Sequence, residues 1–153
     1  KPNIIETIQT HTRYVEWLSA GEMHNGSKEW LSQLEFVKDE HLFFEDLIKS
    51  YTLQLIKPEK FTHNKEIIDA INKSQKRNNL LIEAVKLHEY ALQIMVDGID
   101  QLNEEEAYKK ENRGLIIKIN EFLKYYRTLK MQLFDIMKEI KKEEKIRLLI
   151  DHR

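Results

Sequence analysis

Apolar residues recur along most of the chain in steps of three and four, the spacing of one face of an α-helix. The short runs of strict alternation that strands would need are absent. The pattern predicts four helices, at residues 3–20, 26–56, 63–101 and 105–148. The seam of the second helix is Trp30, Leu34, Val37, His41, Phe44, Ile48, Tyr51 and Leu55. That of the third is Ile67, Ile71, Ser74, Asn78, Leu81, Val85, His88, Leu92, Met95 and Ile99, and that of the fourth is Leu115, Ile119, Phe122, Tyr126, Leu129, Leu133, Ile136 and Ile140. Eight seam residues are expected to be largely buried: His41, Phe44, Ile48, Leu81, Val85, Ile119, Phe122 and Leu129.

Few residues break this helical pattern, and their places predict the turns. The chain has four glycines and two prolines. Gly21 and Gly26 bracket a predicted first turn, Pro58 lies in the second, and Gly98 and Gly114 flank the third. Short connections favour antiparallel neighbours, so the prediction is an all-α, antiparallel up-down-up-down four-helix bundle. Residues 1–153 are expected to form this single domain.

Composition narrows the classes of function. The formal net charge is −1, which gives no basic footprint for nucleic acid. The absence of cysteine excludes disulfides, thiolate nucleophiles and Fe–S clusters. No apolar run approaches the ~20 residues of a membrane span, so a cytoplasmic protein without membrane contact is expected. Neither a catalytic triad nor a phosphate-binding loop is recognisable, which predicts a protein that is not an enzyme.

Three of the six histidines lie in the apolar seams of three different helices: His11, His41 and His88. Helix bundles build metal sites from such inward-facing side chains. Glu45 follows His41 by four residues, so both side chains could reach one ion. His11 and His41 are also nearly equidistant from Gly26, so a hairpin turn there would bring the two imidazoles to similar heights.

Two interpretations without a metal remain open for these residues. Glu45 could form a salt bridge on the helix surface. His41 could join Asn78 and Tyr126 in a buried polar layer, which would set the register of the helices because buried polar groups need partners.

Three segments resemble a known family. "LEFVKDEHLFFEDLI" resembles the second-helix motif of hemerythrin-like, or HHE cation-binding, domains, with His41 and Glu45 at its ligand positions. "ETIQTHTRYVEWL" is similar to the first-helix motif, with His11, and "LIEAVKLHEYAL" to the third, with His88. The resemblance implies a four-helix bundle around a non-haem diiron site. It also implies a role in oxygen binding, oxygen or redox sensing, or the handling of iron or nitric oxide.

The other half of that diiron site departs from the family pattern. Ala84 and Leu92 stand where the third helix usually offers a second ligand. In an alignment of the fourth helix with the second, Arg127 and Met131 replace the expected histidine and carboxylate. A guanidinium repels a divalent cation, so Arg127 is expected to fill the vacated space as a counter-charge. His41 would then bond to Glu45, Asn78 or Tyr126.

Three hypotheses about function follow. The first is a hemerythrin-like bundle with an incomplete site, a metal-free or one-metal scaffold that contacts a protein partner or a second copy of itself. The second is a functional non-haem iron domain that senses metal or oxygen through unusual ligands. The third is an unrelated helical interaction module. The cofactor is therefore expected to be either none or non-haem iron, with His11, His41, Glu45 and His88 as its ligands.

Overall fold

The computed structural model describes residues 20–97 and 102–151. Within these ranges the chain forms four helices and no strand: α1 (Ala20–Ser50), α2 (Thr52–Leu55), α3 (Phe61–Asp97) and α4 (Leu102–Asp151). The all-α prediction is confirmed, and the helices pack against one another. The predicted first helix, residues 3–20, lies outside the described residues except for Ala20. None of these described helices is both long and apolar enough to cross a membrane.

The predicted turn at residues 21–26 is wrong, because α1 runs without a break from Ala20 through both glycines. Glycine costs a helix only about 1 kcal/mol relative to alanine. Burial of Met23 and Ser27, which are 2% and 0% exposed, favours the helix at this point. Gly114 likewise lies inside α4. Tertiary packing therefore outweighs the local preference, and the proposed symmetry of His11 and His41 about Gly26 loses its basis.

The connection between α1 and α3 is the turn predicted around Pro58. The Thr52 hydroxyl donates to the carbonyl of Lys49 at 2.9 Å, beside the short break that separates α1 from α2. Asn64, at the start of α3, donates its amide to the carbonyl of Leu55 at 3.0 Å, and this bond is buried. The bond ties the first turn of α3 to the end of α2, so the connection is held at both ends.

The described chain divides into two compact units, and each long helix contributes to both. The first unit contains the described residues up to Val37 together with Asn78–Glu121. Its buried apolar side chains include Met23, Leu34, Val37, Leu81, Ile82, Val85, Leu92, Tyr108, Leu115, Ile116 and Ile119. Contacts between α1 and α3 in this unit join His24 to Glu89 and Leu34 to Asn78. Residue numbers therefore decrease along α3 as they increase along the facing part of α1.

The second unit contains Lys38–Arg77 together with the described chain from Phe122 onward. Its buried apolar side chains are Phe44, Leu55, Ile67, Ile71, Phe122, Tyr126, Leu129, Leu133, Ile136, Met137 and Ile140. Phe122 is fully buried, its ring lies 6.2 Å from that of Tyr126, and the guanidinium of Arg77 lies over it at 5.4 Å. Aromatic side chains therefore dominate the middle of this core.

The predicted seams agree closely with the buried positions. Of the eight residues that the seams predict to be buried, seven are buried in the structure: His41, Phe44, Leu81, Val85, Ile119, Phe122 and Leu129. Ile48 is the exception, because it is only partly buried near the end of α1. The three-and-four spacing thus identifies the inward face, and the error falls where the helix approaches its end.

Gly26→Ala should raise the free energy of unfolding by about 0.5–1 kcal/mol, as expected when alanine replaces a glycine inside a helix. Among residues 20–97 and 102–151, a Cβ added at this position would meet nothing within 4 Å. Urea denaturation measures the change. Gly114→Ala is the matched control, because a Cβ at Gly114 also meets nothing within that distance among the described residues. A loss of stability at Gly26 alone would show that the chain needs a glycine turn there.

Candidate functional site

His41 lies in the core of the second unit, where it connects helices. Its side chain is 1% exposed. Its Nε2 atom and the hydroxyl of Ser74 on α3 share a hydrogen bond of 3.1 Å. The imidazole also lies 5.1 Å, centroid to centroid, from the ring of Tyr126 on α4, with the two planes tilted by 48°. The histidine therefore touches α3 through a polar atom and α4 through its ring face.

A carboxylate and an ammonium group complete this polar layer. Tyr126 donates its hydroxyl to Oε1 of Glu40 at 3.0 Å. Lys130 donates to both carboxylate oxygens of Glu40, at 3.1 and 3.0 Å. Burial raises the pKa of Tyr126 above its ordinary value, and the hydrogen bond to Glu40 and the charge of that carboxylate add to the effect. The phenol is thus held in its neutral form as a hydrogen-bond donor.

Glu45 does not join this layer. Its side chain is 48% exposed and pairs with Lys49, one turn further along α1, at 3.3 Å. The buried face of α1 passes through His41 and Phe44, so Glu45 lies just beyond its edge. The surface salt bridge is the arrangement that the structure describes, and such exposed pairs contribute little to stability.

The expected place of Arg127 is also wrong. Arg127 and Met131 both face solvent, and Met131 is 67% exposed. The inward positions of α4 here are Tyr126, Leu129 and Leu133, in steps of three and four. Arg127 and Met131 each lie one or two residues along α4 from an inward position, so their side chains point out of the core. The counter-charge in this region is Lys130, and its partner is Glu40.

His88 occupies a different environment, in the core of the first unit. It is fully buried, and its Nε2 atom lies 2.8 Å from Oδ1 of Asn112. Its Nδ1 atom lies 3.2 Å from Oε1 of Glu111. The imidazole stacks on Tyr108 with a centroid distance of 3.9 Å and an angle of 4° between the planes. Both ring nitrogens are therefore engaged with side chains of α4.

Further polar side chains surround His88. Ser27 and Tyr108 are buried beside it, and His24 pairs with Glu89 across α1 and α3. Burial raises the pKa of Tyr108, and the charges of Glu89 and Glu111 raise it further, whereas the hydroxyl of Ser27 acts in the opposite direction. The first unit thus holds a polar cluster of its own.

The predicted seam of the fourth helix begins at Leu115 and therefore omits part of this cluster. Continuing it backward by three and then four residues reaches Asn112 and Tyr108, which are 1% and 4% exposed. The pairing of His24 with Glu89 has no comparable signal in the sequence, because the glycines on both sides of His24 predict a turn there.

The predicted metal ligands thus fall into separate groups. Within residues 20–97 and 102–151, no set of three or more histidine, cysteine, aspartate or glutamate side chains is arranged to hold a metal ion. His41 belongs to the polar layer of the second unit, and His88 to the cluster of the first. His11 lies outside the described residues, so a site that includes it stays a prediction. Asn78 belongs to the first unit, where it donates to the carbonyl of Leu34 at 2.9 Å.

A groove of about 840 Å³ opens on the second unit. It lies between α2, the connection to α3, the first turn of α3 and the last third of α4. Its apolar contributors are Leu53, Ile136 and Ile140. Its charged and ionisable lining residues are Lys57, Glu59, Lys60, His63, Asp135, Glu139, Glu143, Glu144 and Arg147.

The end of α4, next to this groove, is apolar and exposed. Among residues 141–151, Glu144 alone is partly buried and the others face solvent. The exposed fractions of Leu149 and Ile150 are 64% and 63%, and Leu53 across the groove is 79% exposed. Exposed aliphatic side chains in this number are unusual for a surface that serves only to face water.

No protein-family model, curated protein or solved structure matches this chain.

Tyr126→Phe should make the stability of the protein less sensitive to alkaline pH. Because the folded state raises the pKa of Tyr126 above its ordinary value of 10.0, the unfolded chain releases this proton at lower pH than the folded protein does. The resulting stability is fully present below about pH 10 and is lost as pH rises further, by up to about 1.4 kcal/mol per pH unit. Urea denaturation over a pH series measures the slope. Tyr125→Phe, at a 46% exposed position, should leave it unchanged. A slope unaltered by Tyr126→Phe would contradict the assignment.

Proposed function

We propose that this chain is a non-enzymatic helical scaffold that works by contacting another protein through the groove and the apolar end of α4. In this proposal the whole chain is an antiparallel up-down-up-down four-helix bundle, to which residues 3–20 add the first helix. The resemblance to hemerythrin-like domains then extends to the architecture and the inward histidines, but not to a diiron centre.

The direction of the helix contacts supports the antiparallel arrangement. In the first unit, α1 and α3 run in opposite directions, because His24 meets Glu89 whereas Leu34, further along α1, meets Asn78. In the second unit, the chain from α1 into α2 runs in the same direction as α4, because Glu40 on α1 meets Lys130 and Gln54 on α2 meets Glu144. Alternating directions along the chain produce this pattern.

The engagement of the histidines supports a role without a diiron centre. His88 would have to give up bonds to Asn112 or Glu111 before either ring nitrogen could bind a metal ion. His41 would have to give up Ser74 at Nε2, and Glu45 would have to leave the helix surface. A buried polar group that loses its partner costs about 1–3 kcal/mol, so these bonds favour the present arrangement.

The observation that carries the proposal is the exposed apolar end of α4 beside an acidic groove. Five acidic side chains line the groove against two lysines and one arginine, namely Glu59, Asp135, Glu139, Glu143 and Glu144 against Lys57, Lys60 and Arg147. The pairs already made, such as Lys57 with Glu143 at 3.3 Å, are solvent-exposed and weak. A partner can therefore replace them without a large cost.

The partner that fits this surface is an amphipathic helix with an apolar face and flanking lysine or arginine residues. Its apolar face would cover Leu53, Ile146 and Ile150, in the manner of helix-in-groove recognition. Ile146 is 50% exposed, and Ile150 lies one turn further along the same face of α4. Its cations would meet the surplus carboxylates of the groove, which adds orientation and a faster association.

A synthetic basic amphipathic peptide tests this surface directly. Titration of the full-length chain, followed by fluorescence anisotropy of the labelled peptide, should give saturable binding. The double variant Ile146→Asp, Ile150→Asp should weaken it by about tenfold or more, because both side chains would lose apolar contact. A peptide with the same apolar face and glutamate flanks should bind much less. The control Leu42→Asp alters an exposed leucine of α1 that does not line the groove. Equal binding by the double variant and the unaltered chain would overturn the proposed surface.

Metal analysis tests the absence of a diiron centre. The full chain, expressed in iron-supplemented medium and purified without chelator, should contain well under one iron per molecule. His41→Ala and His88→Ala should not change that content, although both should lower stability because a buried hydrogen-bonded side chain is removed. About two irons per chain, lost in His41→Ala, would contradict the proposal and favour the hypothesis of a functional non-haem iron domain instead.

A further inference from the structure

The solvent-facing side of α3 in the first unit carries a second apolar seam. We define the α3 stripe as Leu80, Ala84, Leu87, Ala91 and Ile94. Its three large residues are 71%, 68% and 55% exposed in that order, and the two alanines are partly buried. The steps of four and three between these residues are those of a coiled-coil seam. The stripe extends about 21 Å along the helix.

The three large residues of the stripe are separate from the seam that α3 uses inside its own unit, whereas Ala91 at its edge also packs against the buried Met23, Leu92 and Tyr108. Leu81, Val85, His88 and Leu92 form the inner seam, and all four are buried. Leucines scattered on a surface need no explanation, but a regular row of them on the outer face of a helix indicates a contact with another helix.

The order of large and small residues in the stripe favours α3 of a second copy as the contacting helix. Large and small side chains alternate from Leu80 to Ala91, so these four positions are complementary to a copy of themselves turned by a two-fold rotation, and Ile94 lies beyond the paired positions at each end. In an antiparallel pair, Leu80 of one copy faces Ala91 of the other, and Leu87 faces Ala84. Each leucine then enters the space left by an alanine, which allows the two helices to approach closely.

The residues beside the stripe fit the same arrangement. Glu83 and Tyr90 each precede one of the alanines, and both are exposed. In the antiparallel pair, Glu83 of one copy comes next to Tyr90 of the other, so the phenol can donate to the carboxylate. The two-fold rotation produces this hydrogen bond twice, at opposite sides of the contact.

We propose that this chain forms a homodimer through the α3 stripe, with the two α3 helices antiparallel. This proposal is independent of the partner surface on the second unit, because the stripe lies wholly within the first. A contact made by one face of one helix per copy lies at the small end of specific interfaces, so the dimer dissociates in the micromolar range or above.

Sedimentation velocity over a series of protein concentrations tests the dimer. The unaltered full chain should pass from monomer to dimer as its concentration rises. Leu87→Glu should stay monomeric throughout, or weaken the dimer by about tenfold or more, because the substitution places two carboxylates in the centre of the contact. Met131→Glu changes a similarly exposed side chain of α4 and should leave the equilibrium unchanged. A monomer at every concentration, or a dimer unaffected by Leu87→Glu, would overturn the proposal.

Engineered cysteines test the direction of the two helices, since the chain has no cysteine of its own. An equimolar mixture of Leu80→Cys and Ala91→Cys, carrying different tags, should form a mixed disulfide under oxidation. Leu80→Cys alone should form far less, because its two thiols would lie about 16 Å apart along the axis. Efficient crosslinking of Leu80→Cys alone would show a parallel pair and refute the antiparallel contact. Failure of the mixture to crosslink would refute it as well.

Discussion

The structure depends on polar side chains that lie within apolar seams and must be matched across helices. His41 reaches Ser74 on the next long helix, and His88 reaches Asn112. Apolar packing alone tolerates a shift of one helix along another, whereas a buried hydrogen bond is lost when its partner moves by one turn, about 5.4 Å. These bonds therefore select one register from several that would bury similar apolar area.

The same constraint engages the described histidines that the sequence predicts as metal ligands. A ligand must offer an unengaged nitrogen or oxygen to the ion, whereas both nitrogens of His88 face side chains of α4. Glu40 rather than Glu45 takes the inward carboxylate role in the second unit, where Tyr126 and Lys130 donate to it. The carboxylate charge is balanced there by the ammonium group of Lys130. Inward histidines serve here as links between helices.

The surface carries the features that support the proposed function. The inner seams account for the burial of the long helices, and two of the groups of aliphatic side chains that they leave exposed carry the proposals. One is the end of α4 beside the groove, and the other is the α3 stripe. The two differ in character, because the first adjoins an excess of carboxylates and the second is flanked by Glu83 and Tyr90 in a self-complementary order. A scaffold that pairs with itself and also holds a basic helix would use both.

The sequence by itself determined the helical class and most of the inward face. Phe44, Val85, Ile119 and Phe122 were predicted to be buried from spacing alone, because helical periodicity is a local property that each segment carries independently. Tertiary structure decided the rest. Packing of Met23 and Ser27 continued α1 through two glycines that favoured a turn, and the offset between helices chose Ser74 for His41 and Asn112 for His88. A pattern along one helix states which side faces inward, but the partner of a side chain depends on the distance and register between two helices, which no single seam contains.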